Sequence, residues 1–284
     1  MITFFAIPKP FVGHEAIIQT NAARSWSRTH PDAEVLLFGN EPGIREAALD
    51  LGLTHVPELD RNKNGTPFLN AVFDTAQRMA RNEIVCYVNG DIILFPDIIE
   101  AVAQVRRQHD RWLLLGRRVN MDVTELIDMD HPDRRAELRR TASEIGDLAP
   151  MNCVDHFVFP KGMLLGRIPP FLVGRPFWDN WMVWNARRMG IPVIDATDRV
   201  TSVHQNHERS WHIKGSLHAQ EGWENYEHIG SGLRLYSIAN ATHFLRSDGL
   251  HKRPGYQFDG ARALLGKVWE RIIRFDLRSP SARR

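Results

Sequence analysis

Short apolar runs and amphipathic stretches alternate along the first part of the chain. The strand candidates, rich in β-branched and aromatic residues, are the runs 2–7, 34–38, 54–56 and 84–88. The helix candidates, with apolar residues at helical spacing, are 14–28, 44–51, 67–79 and 98–107. Thr66 and Pro67 suit the N-cap and first position of the third helix. This alternation predicts an α/β fold with a doubly wound, mostly parallel sheet and helices on both faces.

The second half of the chain continues the pattern with longer interruptions. A buried strand is predicted at 112–116 and an alternating strand at 155–162. Between them, the charged stretch 122–147 predicts a solvated helical excursion, with a lid as the alternative. A helix ending near residue 189 precedes 190–195, which reads as the last strand of the sheet. An amphipathic helix at 261–277 precedes a basic tail at 278–284. We therefore predict a main domain over 1–210 and a C-terminal helical extension over 211–284 that packs on it.

The stretch 84–97 is the most informative part of the sequence. A strand buried on both faces ends at Asn89-Gly90-Asp91, whose residue types favour a tight turn. Asp91 is thus delivered just past the carboxyl end of a central strand, where open α/β sheets bind ligands. The alternative is an ordinary turn with a solvated carboxylate.

An acidic turn after a buried strand, followed by apolar residues and then Pro96 and Asp97, resembles the metal-binding Asp-x-Asp motif of GT-A glycosyltransferases, particularly the family-2-like branch. Asn89 stands in place of the first Asp, so Asp91 is the expected carboxylate ligand. The resemblance implies that Asn89 and Asp91 contact a nucleoside diphosphate sugar. The resemblance is looser for the polar loop that holds Arg61 and Lys63. Either this loop binds the diphosphate of the donor, or it is a plain surface loop.

The same resemblance implies further site residues in the second half of the chain. His204 or His207 would supply another ligand to Mn²⁺ or Mg²⁺. Asp155 and His156 would contact the acceptor or the donor sugar. Asp179 would be the base of an inverting enzyme, and Trp178 and Trp181 would stack on sugar faces. The structural alternative for Asp179 is an N-cap.

The composition of the chain limits the classes of binding partner and the cellular compartments that we expect. The chain has 284 residues and a net charge of +2, which argues against a nucleic-acid partner. Its two cysteines, Cys86 and Cys153, indicate buried thiols in a reducing compartment, and the first residues carry no basic leader, so we expect a cytoplasmic protein. The C-terminal helix either docks on the main domain or attaches peripherally to the inner face of an anionic membrane.

The predicted function is a metal-dependent, inverting transfer of sugar from a nucleoside diphosphate sugar to a glycan or lipid-linked hydroxyl acceptor, as in polysaccharide biosynthesis. Arg117 and Arg118, just past the 112–116 strand, lie where a phosphate or acceptor would sit. The alternative is a non-catalytic module that binds glycans or a protein through its Trp- and His-rich second half. A nucleotidyltransferase is disfavoured because no Gly-rich basic loop follows the first strand.

Overall fold

The structure is a computed structural model that describes residues 1–207 and 216–255. The strands are β1 (Ile2–Ala6), β2 (Glu34–Phe38), β3 (Thr54–Val56), β4 (Ile84–Val88), β5 (Ile92–Leu94), β6 (Leu113–Leu115), β7 (Val119–Met121), β8 (Asp147–Leu148), β9 (His156–Pro160), β10 (Val193–Asp195), β11 (Ser202–Gln205), β12 (His243–Arg246) and β13 (Gly249–Lys252). The helices are α1 (Gly13–Ser27), α2 (Ile44–Leu51), α3 (Leu69–Met79), α4 (Asp97–Arg106), α5 (Pro132–Ile145), α6 (Trp178–Arg188) and α7 (Ser216–Ile229). The predicted helix 261–277 and the basic tail lie outside the described residues.

A nine-stranded sheet forms the centre of the fold, in the order β13-β12-β10-β6-β9-β4-β1-β2-β3. Most of its pairings are parallel, but β9 runs antiparallel to both β4 and β6 in the middle of the sheet. The predicted α/β class with a mostly parallel sheet is confirmed. The hairpin β12–β13 joins the edge beside β10, so residues 243–252 of the predicted extension share the sheet with the main domain.

Helices cover both faces of the sheet, as the alternation predicted. Phe5 on one face of β1 packs with α3 and α6, whereas Phe4 on the other packs with α1, α2 and α4. Both side chains are fully buried, as expected for a strand covered on both sides. The core therefore lies in two layers, one on each side of the sheet.

A second, four-stranded sheet lies beside the carboxyl ends of the central strands, in the order β5-β11-β7-β8. Strand β5 follows the acidic turn directly, and β11 pairs with it antiparallel. The small sheet therefore joins a segment near residue 92 to one near residue 204.

Three sequence-based expectations about local structure are wrong. Helix α3 begins at Leu69 rather than at Pro67, because the Thr66 hydroxyl bonds to the carboxylate of Glu221 instead of capping a helix. Strand β9 is buried along almost its whole length rather than alternating, because it has strands on both sides. Strand β10 is not the last, since β11, β12 and β13 follow it.

Among the described residues, no helix combines the length and the apolar character that crossing a bilayer requires. Cys86 and Cys153 do not form a disulfide with each other.

Candidate active site

The acidic turn sits at the carboxyl end of β4, and tight packing fixes its shape. The backbone N–H of Asn89 donates to the carbonyl of Asp155 (2.9 Å), and that of Ile92 donates to the carbonyl of Asn89 (3.1 Å). A Cβ atom on Gly90 would lie 3.1 Å from the side-chain oxygen of Gln19. Glycine therefore lets helix α1 approach the turn closely, and Asp91 is held at the edge where the sequence predicted a ligand.

Asp91 meets two imidazoles that come from more than a hundred residues later in the chain. Its Oδ2 lies 3.0 Å from Nε2 of His207 and 3.5 Å from Nε2 of His204. One donor atom from each of the three residues falls within 4.8 Å of the others. Register brings them together, since His204 on β11 pairs with Ile92, the residue after Asp91.

The chemistry of this cluster fits a divalent metal ion. Burial alone would raise the pKa of Asp91, but hydrogen bonds and charge from His204 and His207 outweigh it and hold that pKa well below its usual range. Asp91 is thus a carboxylate. Its Oδ1 and the Nδ1 of His204 are buried without a hydrogen-bond partner in the described part of the chain, which leaves donor capacity for an ion. Two imidazoles beside one carboxylate suit Mn²⁺ better than Mg²⁺, which prefers oxygen.

A second carboxylate stands behind His207. Oε1 of Glu15 lies 3.6 Å from Nδ1 of His207, and Lys9 Nζ donates to the same oxygen at 2.6 Å. Metal-binding histidines usually turn their remaining ring nitrogen toward a carboxylate or carbonyl, which fixes the ring orientation. Glu15 is placed for that role.

Asp91 opens into a cleft of about 970 Å³ that the loop after β1, the acidic turn and segments 152–155 and 173–179 surround. This volume is at the upper end for small-molecule sites, so the cleft can accept an extended ligand. Asp155, Arg118 and Asp179 line it together with Asp91.

Asp155 joins the acidic turn to Arg118. Its Oδ1 accepts hydrogen bonds from Nδ2 of Asn89 (2.8 Å) and from Nη1 of Arg118. Burial, together with the nearby charge of Asp91, raises the pKa of Asp155 despite the guanidinium of Arg118. The structure thus brings together Asn89, Asp91, Asp155 and Arg118. The sequence analysis predicted the first three as site residues and Arg118 as a group placed to bind a phosphate or the acceptor.

Asp179 occupies the first turn of α6 and faces the same cleft. Burial and the charge of Asp155 raise the pKa of this carboxyl to about 7. A general base works best when its pKa is near the operating pH. The residue two positions earlier, Phe177, has a φ of 86°, the only positive value for a non-glycine in the described residues. Left-handed backbone at a bulky residue costs roughly 1–3 kcal/mol, and such strain clusters at functional sites.

The remaining predicted residues lie in different surroundings. Trp178 lines the cleft but is mostly buried against Tyr87, and Trp181 is buried against Phe171 without lining the cleft. His156 is fully buried, and burial lowers its pKa to about 4, so its ring is neutral.

The polar loop at 60–67 reaches the cleft at Pro67, and Arg61 and Lys63 are not among the residues that line it. The guanidinium of Arg61 donates to Glu41 and to the carbonyl of Gly65, and Lys63 is exposed. The other donors of this loop converge on the carboxylate of Glu221 from α7, which sequence reasoning missed. Nothing in the local pattern signals it, because a Glu in an amphipathic stretch is normally placed on the solvent side.

No protein-family model matches the chain, and a search of curated proteins gives no match either. Among solved structures, the chain superposes on residues 1–349 of S. aureus TarS, solved with UDP-GlcNAc, with a TM-score of 0.53 and 12% sequence identity. The superposition covers 82% of this chain and 66% of the TarS chain, just under two thirds of it.

Two further structures have TM-scores of 0.49. One is the Pyrobaculum calidifontis mannosyltransferase PcManGT with GDP-Man and Mn²⁺, at 16% identity, where the superposition covers 81% of this chain and 65% of the other. The second is the M. tuberculosis glucosyl-3-phosphoglycerate synthase with Mg²⁺ and UDP, at 15% identity, where it covers 89% of this chain and 87% of the other. The TarS superposition confirms the GT-A-like fold expected from the sequence. At these identities the similarity concerns the fold alone.

Proposed function

We propose that this protein is a metal-dependent glycosyltransferase that moves a sugar from a nucleoside diphosphate sugar to a hydroxyl group of an acceptor. One observation carries the proposal. Asp91, whose carboxylate contacts two imidazoles, lines the same cleft as Asp179, a carboxyl whose pKa is about 7. A candidate metal ligand and a carboxyl with a near-neutral pKa in one cleft fit metal-assisted, base-assisted transfer to a hydroxyl acceptor.

In this proposal Asp91, His204 and His207 hold Mn²⁺ or Mg²⁺, and Glu15 orients His207. The bound ion supplies Lewis-acid stabilisation of the negative charge that develops on the leaving diphosphate. Asn89 and Arg118 stay fixed through Asp155, so the polar wall of the cleft beside the donor is preorganised.

Asp179 acts as the base. Its carboxylate takes the proton of the acceptor hydroxyl while that oxygen forms a bond to the anomeric carbon and the bond from this carbon to the diphosphate breaks. Because the acceptor oxygen attacks the face of the anomeric carbon opposite the leaving diphosphate in a single displacement, the configuration at that carbon is inverted. The acceptor we propose is a glycan or a lipid-linked sugar, as in polysaccharide biosynthesis in the cytoplasm or at the inner face of its membrane.

A thermal-shift panel tests the donor and the metal together. UDP, GDP, CDP and dTDP are each added with and without Mn²⁺ to the wild type, to Asp91→Asn, and to Asp110→Asn as an exposed carboxylate control. A nucleotide at a hundredfold excess over its Kd stabilises the native state by about 2.7 kcal/mol. For a chain of this size that corresponds to roughly 5–10 °C in Tm.

We expect one nucleotide to raise Tm only with Mn²⁺, in the wild type and in Asp110→Asn but not in Asp91→Asn. If no nucleotide shifts the wild type, the transferase proposal is wrong, and the Trp-rich second half would then be tested for binding glycans or proteins.

A further inference from the structure

Helix α7 presents a polar face to the protein interior. His218, Glu221, Gly222 and Asn225 recur at intervals of three and four residues, so they lie on one side of the helix. Glu221 and Asn225 are fully buried, and His218 lines the cleft. Burying two polar side chains on one helix face is costly unless their polar atoms are hydrogen-bonded.

Glu221 ties two loops to the helix. Its carboxylate accepts hydrogen bonds from Asn62 (2.8 Å), Asn64 (3.2 Å) and the Thr66 hydroxyl (3.0 Å), and it forms an ion pair with Arg175. These hydrogen bonds and the ion pair hold its pKa below the usual range although burial acts in the opposite direction. The loop before α3 and the cleft wall at Arg175 are thus joined through one carboxylate.

Asn225 binds the backbone of the same cleft wall at two points. Its Oδ1 accepts from the N–H of Leu172 (2.7 Å), while Nδ2 donates to the carbonyls of Leu172 (3.2 Å) and Pro176 (3.2 Å). Between them Gly222 packs beside Pro176, and a Cβ there would lie 3.4 Å from the proline ring, about van der Waals contact. Helix α7 therefore anchors segment 172–176 at Leu172, Arg175 and Pro176.

The fixed segment leads directly into the strained residue Phe177 and the first turn of α6, which carries Asp179. We propose that Glu221 and Asn225 are positioning residues that hold segment 172–177 in the conformation that delivers Asp179 to the cleft. This inference rests on the proposed function, because it assigns the purpose of the contacts to the base of that reaction.

The effect of α7 is on position and on access of water rather than on charge. The charges that act on Asp179 come from Asp155, just before β9, and from Arg118, after β6, and Asp179 in turn raises the pKa of Tyr87 on β4. Asp91 and His218 line the same cleft. Loosening the segment would let water reach the carboxyl, and because burial is the main cause of its raised pKa, that pKa would fall.

The test uses the full chain with two substitutions on the buried face and one matched control. Asn225→Leu keeps the approximate size and removes the amide, and Glu221→Gln keeps the shape and removes the charge. Glu227→Gln makes the same change at an exposed position of the same helix. Thermal melting first checks that each variant folds, and Glu221→Gln serves if Asn225→Leu does not.

Two readouts are then measured. Amide hydrogen exchange, followed by mass spectrometry, compares peptides covering 172–181 with peptides covering 84–95. The second readout is hydrolysis of a nucleoside diphosphate sugar, with water as the acceptor. The donor carries the nucleotide that raises Tm in the thermal-shift panel, and the rate is measured with Mn²⁺ at saturating donor from pH 5 to 9.

In both Asn225→Leu and Glu221→Gln we expect faster exchange in the 172–181 peptides only. We expect kcat to fall at least tenfold while the Kd of the nucleotide changes less than threefold. The part of the pH–rate profile that rises near pH 7 should move to lower pH. Glu227→Gln should match the wild type. Unchanged exchange in both variants, or faster exchange with unchanged kcat and pH profile, overturns the inference. If the wild type turns over no donor, the proposed function fails and the catalytic part of the inference fails with it, while exchange still decides whether α7 holds the segment.

Discussion

Asp179→Asn is expected to stabilise the protein at neutral pH while it removes the base. In the folded state burial keeps the pKa of Asp179 at about 7, against an ordinary value of 3.8. Between about pH 4 and pH 7 the folded state therefore retains a proton that the unfolded chain loses. The stability that this proton contributes is fully present below about pH 4 and is lost as pH rises to about 7. Asparagine has no such dependence.

The structure sets the size of this effect. About three pH units at 1.36 kcal/mol each give an upper limit of roughly 4 kcal/mol above pH 7. The side chain faces an open cleft and is only partly shielded, so we expect about half of that, near 2 kcal/mol. The advantage of Asp179→Asn should be close to zero at pH 4 and should reach a plateau above pH 7.

Urea unfolding of the wild type and of Asp179→Asn at pH 4, 5, 6, 7, 8 and 9 measures this difference. Asp110→Asn, at an exposed position, should show no pH-dependent change. In the proposed reaction Asp179→Asn should also lower kcat by about 10²–10⁴, the usual contribution of a general base. A difference that is independent of pH, or a loss of stability at pH 8, would refute the view of Asp179 as a desolvated carboxyl.

Three further outcomes are expected. His204→Ala and His207→Ala should each abolish the Mn²⁺-dependent part of the nucleotide thermal shift, and a retained shift in either variant would remove that residue from the metal site. Arg118→Met should cost about 3–5 kcal/mol in urea unfolding at pH 7, because it leaves the buried Asp155 unpaired, and adding Asp155→Asn should restore part of the loss. Thr66→Val should cost about 1–2 kcal/mol by removing a hydrogen bond to the buried carboxylate of α7, whereas a neutral result would mean that this bond adds nothing.

Much of the fold was readable because local patterns determine it. The apolar run of β4 and the turn after it place Asp91 from a dozen neighbouring residues, and the elements up to β6 follow the same local signals. The position of β9 was not readable. The sequence of a buried apolar strand does not indicate its direction or its neighbouring strands. The antiparallel position of β9 between β4 and β6 depends on pairings between segments that are distant in sequence.

The candidate site shows the same division. His204 and His207 were named because a motif resemblance pointed to that segment. The polar loop with Arg61 and Lys63 predicts either a diphosphate site or a plain surface loop. Its residues Asn62, Asn64 and Thr66 do bind an anionic group, which is the carboxylate of Glu221 in the same chain. Donor-rich loops show that a negative group is expected, and sequence alone does not say whether a ligand or the protein itself supplies it.

The ladder between β5 and β11 has a consequence for how this chain tolerates insertions and deletions. Three residue pairs set which side chains of β11 face the acidic turn, and His204 stands opposite Ile92. A single inserted or deleted residue in either strand would turn His204 to the opposite face. Insertions and deletions should therefore be tolerated in the exposed stretch around α5 but should abolish metal binding when they fall in β5 or β11. A deletion scan that measures metal binding would then show loss of binding only for deletions in these two strands.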